Sequence, residues 1–219
     1  MSIGGMNIST AGVRKDGLPD GFVYIDELIE DAIIDAKYWG TDNFVGRQID
    51  GYERPLAAAS REVAEGCAAA AEILRQQGYF LKVYDAYRPQ RAVDHFVRWT
   101  ADLDDIRRKP IHYPRADKKD FFALGYIAAR SGHTRGCAAD LTLVDMETRQ
   151  ELDMGSIFDF MDERSHIAAA GLTDRQEANR ALLRGAMTAC GFVTYEFEWW
   201  HFSLKKEPYP DTYFDFPIR

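Results

Sequence analysis

Two short segments of this chain hold the donor atoms of a catalytic metal site. Ser131-Gly132-His133-Thr134-Arg135-Gly136-Cys137-Ala138-Ala139-Asp140 supplies an imidazole and, seven residues on, a carboxylate. Glu198-Trp199-Trp200-His201 supplies a second imidazole, with another carboxylate three residues before it. His133, Asp140 and His201 make a two-histidine, one-carboxylate set. Three protein ligands leave the fourth position of a tetrahedral zinc ion open for water, as catalytic sites do. Glu198, a carboxylate outside that set, suits the role of base toward the water. Nitrogen and oxygen donors without thiolate suit Zn²⁺, while Mn²⁺, Fe²⁺ and Co²⁺ are chemically admissible and the same set serves non-haem iron oxygenases. Cys137 is a further donor inside the first segment, although a small buried cysteine is the commoner case. Either histidine alone reads as an ordinary core or surface residue, so the case rests on the combination.

Residues 198 and 201 point to opposite faces of a regular strand. If both serve one ion, the strand must bulge, twist or end there. Trp199 and Trp200 between them either wall a pocket or pack the core.

Arg88 closes Tyr84-Asp85-Ala86-Tyr87-Arg88-Pro89. A rigid arginine there holds an anion or steadies a developing oxyanion, or forms a salt bridge with Asp85. Asp159 lies between Phe158 and Phe160 in a densely charged stretch. A carboxylate so placed needs a partner, either a substrate ammonium or Arg164. His95, His112 and His166 lack ligand-like spacing and read as structural.

The elements that must position these residues follow from the pattern. Residues 55–77 are alanine-rich, with proline at the start and Gly78 at the end, and read as a helix. Residues 79–87 read as a strand, closed by Arg88 because a residue before proline is pushed to extended geometry. A helix follows from 90 to about 103, then a charged surface loop over 104–120. Residues 121–130 are apolar and ambiguous, and 140–144 form a strand. Thr173 and Gln176 fit a capping box, opening a helix that ends near Cys190 with Gly191 as its stop. Residues 192–204 are β-prone. Strands and helices mix without βαβ alternation. This implies an α+β fold, a single domain with a central, mostly antiparallel sheet flanked by helices. Residues 1–20 read as a loose lead-in and 21–219 as the domain.

The 219 residues suit one domain, and 46% hydrophobic with 28% charged residues suits an ordinary globular core. A net charge of −8 argues against a nucleic-acid partner. The sequence has no run of 18 apolar residues, so no membrane partner is expected. No signal peptide is read. Three widely spaced cysteines make no disulfide framework, and a reducing cytoplasm is the simplest compartment. A homo-oligomer is compatible with the sequence.

Taken together, Tyr84 to Pro89, Ser131 to Leu143, Phe158 to His166 and Glu198 to Phe202 resemble the VanX-type D-alanyl-D-alanine dipeptidases, zinc enzymes that cleave D-Ala-D-Ala. The likeness continues through Asp35-Ala36-Lys37-Tyr38, Asp42-Asn43-Phe44, Asp50-Gly51-Tyr52 and the C-terminal Glu207-Pro208-Tyr209-Pro210 and Tyr213-Phe214-Asp215-Phe216-Pro217. It covers about residue 22 to the end. The resemblance implies one Zn²⁺ per chain on His133, Asp140 and His201, with Glu198 as general base and then general acid. It implies Arg88 as stabiliser of the tetrahedral intermediate and Tyr38, Ser131 and Asp159 along the substrate, Asp159 facing the free amine. It implies a small α+β fold shared with zinc D,D-carboxypeptidases and the hedgehog signalling domain. Gly132, Thr134 and Cys137 stand where the family carries serines, which removes no expected ligand. The rival expectations are a zinc D,D- or L,D-carboxypeptidase on peptidoglycan stem peptides and a zinc-binding domain without turnover.

Overall fold

In the computed structural model, which describes residues 17–219, a five-stranded sheet forms the centre. The expected lead-in over 1–16 lies outside the described residues, and 17–20 form an irregular approach to the first strand. The elements in chain order are β1 (Phe22–Tyr24), α1 (Ile25–Leu28), β2 (Ile33–Ile34), β3 (Ala58–Ser60), α2 (Arg61–Arg75) and β4 (Tyr79–Asp85). They continue with α3 (Gln90–Ala101), α4 (Lys109–His112), β5 (Ala138–Asp145), α5 (Asp174–Ala189), β6 (Phe192–Tyr195) and β7 (Glu198–Leu204). The large sheet has the order β2-β4-β5-β7-β6, and β1 pairs with β3 in a separate ribbon. Among the described strands only β2 runs parallel to its sheet neighbour, so the expected mostly antiparallel α+β architecture holds.

The central strand β5 is buried on both faces from Ala138 to Val144, as a strand in the middle of a covered sheet is, and Asp140 and Thr142 are its buried polar members. Helix α2 buries Val63, Ala64, Cys67, Ala70, Ala71 and Leu74, the one-sided stripe of a helix lying on a sheet. A Cβ at Gly66 would meet the Phe192 ring at 2.7 Å, so a small residue is needed where α2 crosses β6. Helix α5 opens with the expected capping box, Thr173 accepting from Gln176 N while the Gln176 side chain accepts from Thr173 N.

Two expectations need correction. The helix expected over 55–77 begins only at Arg61, because Ala58–Ser60 is recruited as a strand opposite Phe22–Tyr24. Tertiary pairing overrides alanine's helical preference there, and Ser60 is the N-cap, accepting from Val63 N. The segment over 104–120 is not a plain surface loop. It contains α4, and it buries Tyr113 and the ammonium of Lys118. That ammonium lies 3.9 Å from the Trp99 ring centroid and donates to the carbonyls of Asp102 and Asp105.

The C-terminal tail wraps back across the molecule. Phe214 and Phe216 pack edge-on against Phe22, and Phe216 stacks on Tyr87 at 4.0 Å. Phe214 N donates to Thr134 O at 2.9 Å, and Ile218 N to Gly51 O at 2.8 Å. No helix among the described residues is long and apolar enough to cross a membrane.

Candidate active site

Antiparallel register sets Asp140 on β5 directly across from His201 on β7. His133 joins them from the 3-10 turn His133–Arg135. Gly136 ends that turn at φ +69, and a Cβ there would strike the Phe22 ring at 2.7 Å. Glycine therefore permits both the turn and its packing.

Three donor atoms converge. His133 Nε2 lies 3.1 Å from His201 Nδ1 and 3.4 Å from Asp140 Oδ1, and His201 Nδ1 lies 3.0 Å from Asp140 Oδ1. Ligand bonds of about 2.0–2.1 Å place the corners of a tetrahedral zinc site about 3.3 Å apart, so this triad fits such an ion. Each imidazole also has its other nitrogen engaged. His133 Nδ1 donates to Ala86 O at 2.6 Å, and His201 Nε2 faces Ser203 Oγ at 2.9 Å. The bond to a carbonyl leaves Nε2 of His133 as the lone pair, and the Ser203 hydroxyl can accept from Nε2 of His201 to do the same for its Nδ1, the usual support around a metal-binding histidine. Burial opposes charge on Asp140, yet His133 and then His201 hold its carboxyl well below the usual range. The Cys137 thiol donates to Gly132 O at 3.2 Å and stands outside the triad.

The bulge demanded by Glu198 and His201 is present. Phe192, Val193 and Thr194 pair in steady register with Leu204, Ser203 and Phe202, but Tyr195 then pairs with Glu198. The slack between Phe202 and Glu198 turns both 198 and 201 toward one cavity, with Glu198 Oε2 3.9 Å from His201 Nδ1. Burial pushes the Glu198 carboxyl up to about 7; the Asp140 carboxylate adds to this, while His201 opposes it. Trp200 lines the cavity, whereas Trp199 does not and donates to Ser156 Oγ at 2.9 Å. Each tryptophan thus fulfils one of the two expected roles.

A second irregularity, between Val83 and Asp85 on β4, sets Asp85 opposite Asp140. Of the two readings of Arg88, the salt bridge with Asp85 is present. Its Nε donates to Asp85 Oδ2 at 2.9 Å, while Nη2 reaches within 3.5 Å of Asp140 Oδ2. The guanidinium carbon lies 5.1 Å from the Tyr38 ring centroid and 5.4 Å from that of Phe96, which fixes its position. Asp159 Oδ2 accepts from Tyr38 Oη at 2.9 Å. Arg164 donates instead to Gly155 O, so it is not the partner of Asp159. Burial, and then the Asp140 charge, push the Asp159 carboxyl well above the usual range. Ser131 Oγ accepts from His133 N at 3.2 Å.

Tyr38, Arg88, Ser131, His133, Asp140, Asp159, Glu198 and His201 all line one cavity of about 250 Å³, with Phe44, Phe96 and Trp200 among its apolar walls. That is below the roughly 300–1,000 Å³ of drug-sized sites and suits a small ligand. Sequence reasoning gave Asp85 only as a salt-bridge partner of Arg88 and did not place it beside the triad. Asp85 accepts from Tyr52 Oη at 2.7 Å and from Arg88, and its Oδ2 lies 3.6 Å from His133 Nδ1. Ser203 was legible, since strand residues two apart share a face. His112, which bonds the backbone of Asp159, carried no signal.

Residues 19–219 match the profile of a family described as Peptidase_M15, D-ala-D-ala dipeptidase. A D-alanyl-D-alanine dipeptidase from Enterococcus faecium is 45% identical over 199 residues, covering 91% of this chain and 98% of that protein. One from Streptomyces coelicolor is 45% identical over 197 residues, with 90% and 98% covered. One from Escherichia coli K12 is 35% identical over 177 residues, with 81% of each chain covered.

Proposed function

The chain belongs to the Peptidase_M15 family of D-Ala-D-Ala dipeptidases, and from that premise we propose that it hydrolyses the free D-Ala-D-Ala dipeptide to D-alanine, using one zinc ion held by His133, Asp140 and His201. The observation that carries this reading is the meeting of three metal-type donors, His133 Nε2, Asp140 Oδ1 and His201 Nδ1, 3.0–3.4 Å from one another at the wall of a cavity that suits a small ligand. Asp85, Asp159 and Glu198 share the same cluster with the guanidinium of Arg88, and burying such acids as carboxylates without cations would be costly. A divalent cation in the triad and a substrate ammonium beside Asp159 would supply partners for them.

When bound, zinc would polarise the peptide carbonyl and lower the pKa of a water molecule toward neutrality. The residues around it do the rest. Glu198 takes a proton from the attacking water on its carboxylate and passes it to the leaving amine. A carboxyl near neutrality can do both, since it neither holds nor releases the proton too strongly. Arg88, already oriented by Asp85 and two aromatic rings, donates to the oxygen that becomes negative. Tyr38 keeps the Asp159 carboxylate in position to pair with the substrate's free amine. A longer peptide would set an uncharged amide against that buried carboxylate, so Asp159 favours the dipeptide by penalising its competitors.

The test is release of D-alanine from D-Ala-D-Ala by purified protein before and after chelation. Activity is expected to vanish on chelation and to return with one Zn²⁺ per chain. Absence of hydrolysis by the metal-loaded protein refutes the assignment, and activity that survives complete chelation refutes the zinc.

A further inference from the structure

Asp159 has a backbone conformation that a non-glycine residue rarely adopts, with φ +55. Such a conformation persists only where its surroundings enforce it. The loop is secured on both sides of Asp159. Arg180, buried on α5, donates to Met154 O at 2.6 Å, Arg164 O at 2.8 Å and His166 O at 2.8 Å. Ser165 Oγ donates to Phe160 O at 2.6 Å. None of these bonds reaches the peptide of Asp159 itself.

That contact comes from His112, 4% exposed at the end of α4. Its Nδ1 lies 3.1 Å from Asp159 O, and its own carbonyl accepts from Met161 N at 2.8 Å. Arg108 Nη2, which is always a donor, lies 3.1 Å from His112 Nε2 and also donates to Asp42 Oδ1 at 2.9 Å. The Nε2 atom is therefore the acceptor, and Nδ1 carries the hydrogen that Asp159 O receives. Burial, with Arg108 adjoining, holds this imidazole neutral.

We propose that His112 is the positioning residue of the ammonium receptor. Its Nδ1–H pins the Asp159 carbonyl, which keeps the peptide left-handed and the carboxylate aimed at Tyr38 and the cavity. Without that bond the peptide relaxes toward ordinary backbone angles and the carboxylate swings away from the amine. This inference rests on the reading of Asp159 given above.

The test compares His112→Ala, His112→Asn and His112→Gln with D-Ala-D-Ala and N-acetyl-D-Ala-D-Ala as substrates. Asparagine places an amide N–H near the position of Nδ1, whereas glutamine places it near Nε2. His112→Ala and His112→Gln are expected to raise KM for D-Ala-D-Ala about tenfold, the loss of one well-placed hydrogen bond. Their kcat should stay within about threefold, and their poor turnover of the acetylated substrate should not change. His112→Asn should restore KM to within about threefold of wild type. The proposal is overturned if His112→Gln performs like His112→Asn, if both substrates lose equally, or if KM never moves. Should His112→Ala fail to fold, the asparagine–glutamine contrast still decides. Equal turnover of both substrates by the wild type would refute the Asp159 reading and this inference with it. A wild type that prefers the free amine, with variants that share its preference, would sink His112 alone.

Discussion

Glu198→Gln should impair the enzyme and stabilise the metal-free fold at the same time. The substitution keeps size and hydrogen bonding but cannot accept a proton. General base and acid catalysis contributes about 10²–10⁴ in rate, so kcat on D-Ala-D-Ala should fall by that factor. Zinc content should stay near one per chain, because the triad does not include residue 198. Stability moves the other way. Burial lifts this carboxyl from its ordinary 4.5 to about 7, which corresponds to about 3 kcal/mol against the ionised form in the folded state. The side chain is 27% exposed and sits in a coupled cluster, which reduces the expected gain to about 1–2 kcal/mol. Below pH 4.5 the carboxyl is protonated both folded and unfolded, so it costs nothing. The cost grows between 4.5 and about 7 and is complete above. Thermal unfolding of chelator-treated protein at pH 8 should show the variant melting about 2–8 °C higher, a gap that closes by pH 4.5. A variant melting lower at pH 8, or one with undiminished kcat, would refute the reasoning.

Arg88→Ala should lower kcat at least about a hundredfold with zinc retained, as loss of an oxyanion donor does; steady-state kinetics with metal analysis checks it, and unchanged kcat removes Arg88 from the reaction. Asp159→Asn should erase the preference for D-Ala-D-Ala over its N-acetyl form, read as the ratio of their kcat/KM values, by removing the charge that pairs with the amine. Thr173→Ala should cost about 0.5–2 kcal/mol in denaturant unfolding through loss of the cap on α5, with kcat untouched because that end of the helix lies outside the cavity.

The donor set was legible because metal-binding chemistry restricts residue types, and His133, Asp140 and His201 meet as expected. The irregularity between Glu198 and His201 could be demanded and placed, but not its form, since that comes from the pairing of β7 with β6. Asp85 read as a salt-bridge partner of Arg88 because the register shift that sets it opposite Asp140 leaves no local mark. The α5 cap was readable from two residues, being a local device. The start of α2 was misread because Ala58–Ser60 becomes a strand only through pairing with β1. His112 read as no more than structural because its bond goes to a backbone carbonyl 47 positions away.

The returning segment makes the site sensitive to events far from it. Phe214 N holds the carbonyl of Thr134 beside the His133 turn, and Phe216 stacks on Tyr87, next to Arg88. Both braces follow every donor of the triad in the sequence. A protease that nicks the chain between Pro210 and Phe214 would leave all three donors in place yet free the struts that align them. Clipping there should therefore loosen the triad without removing any part of it.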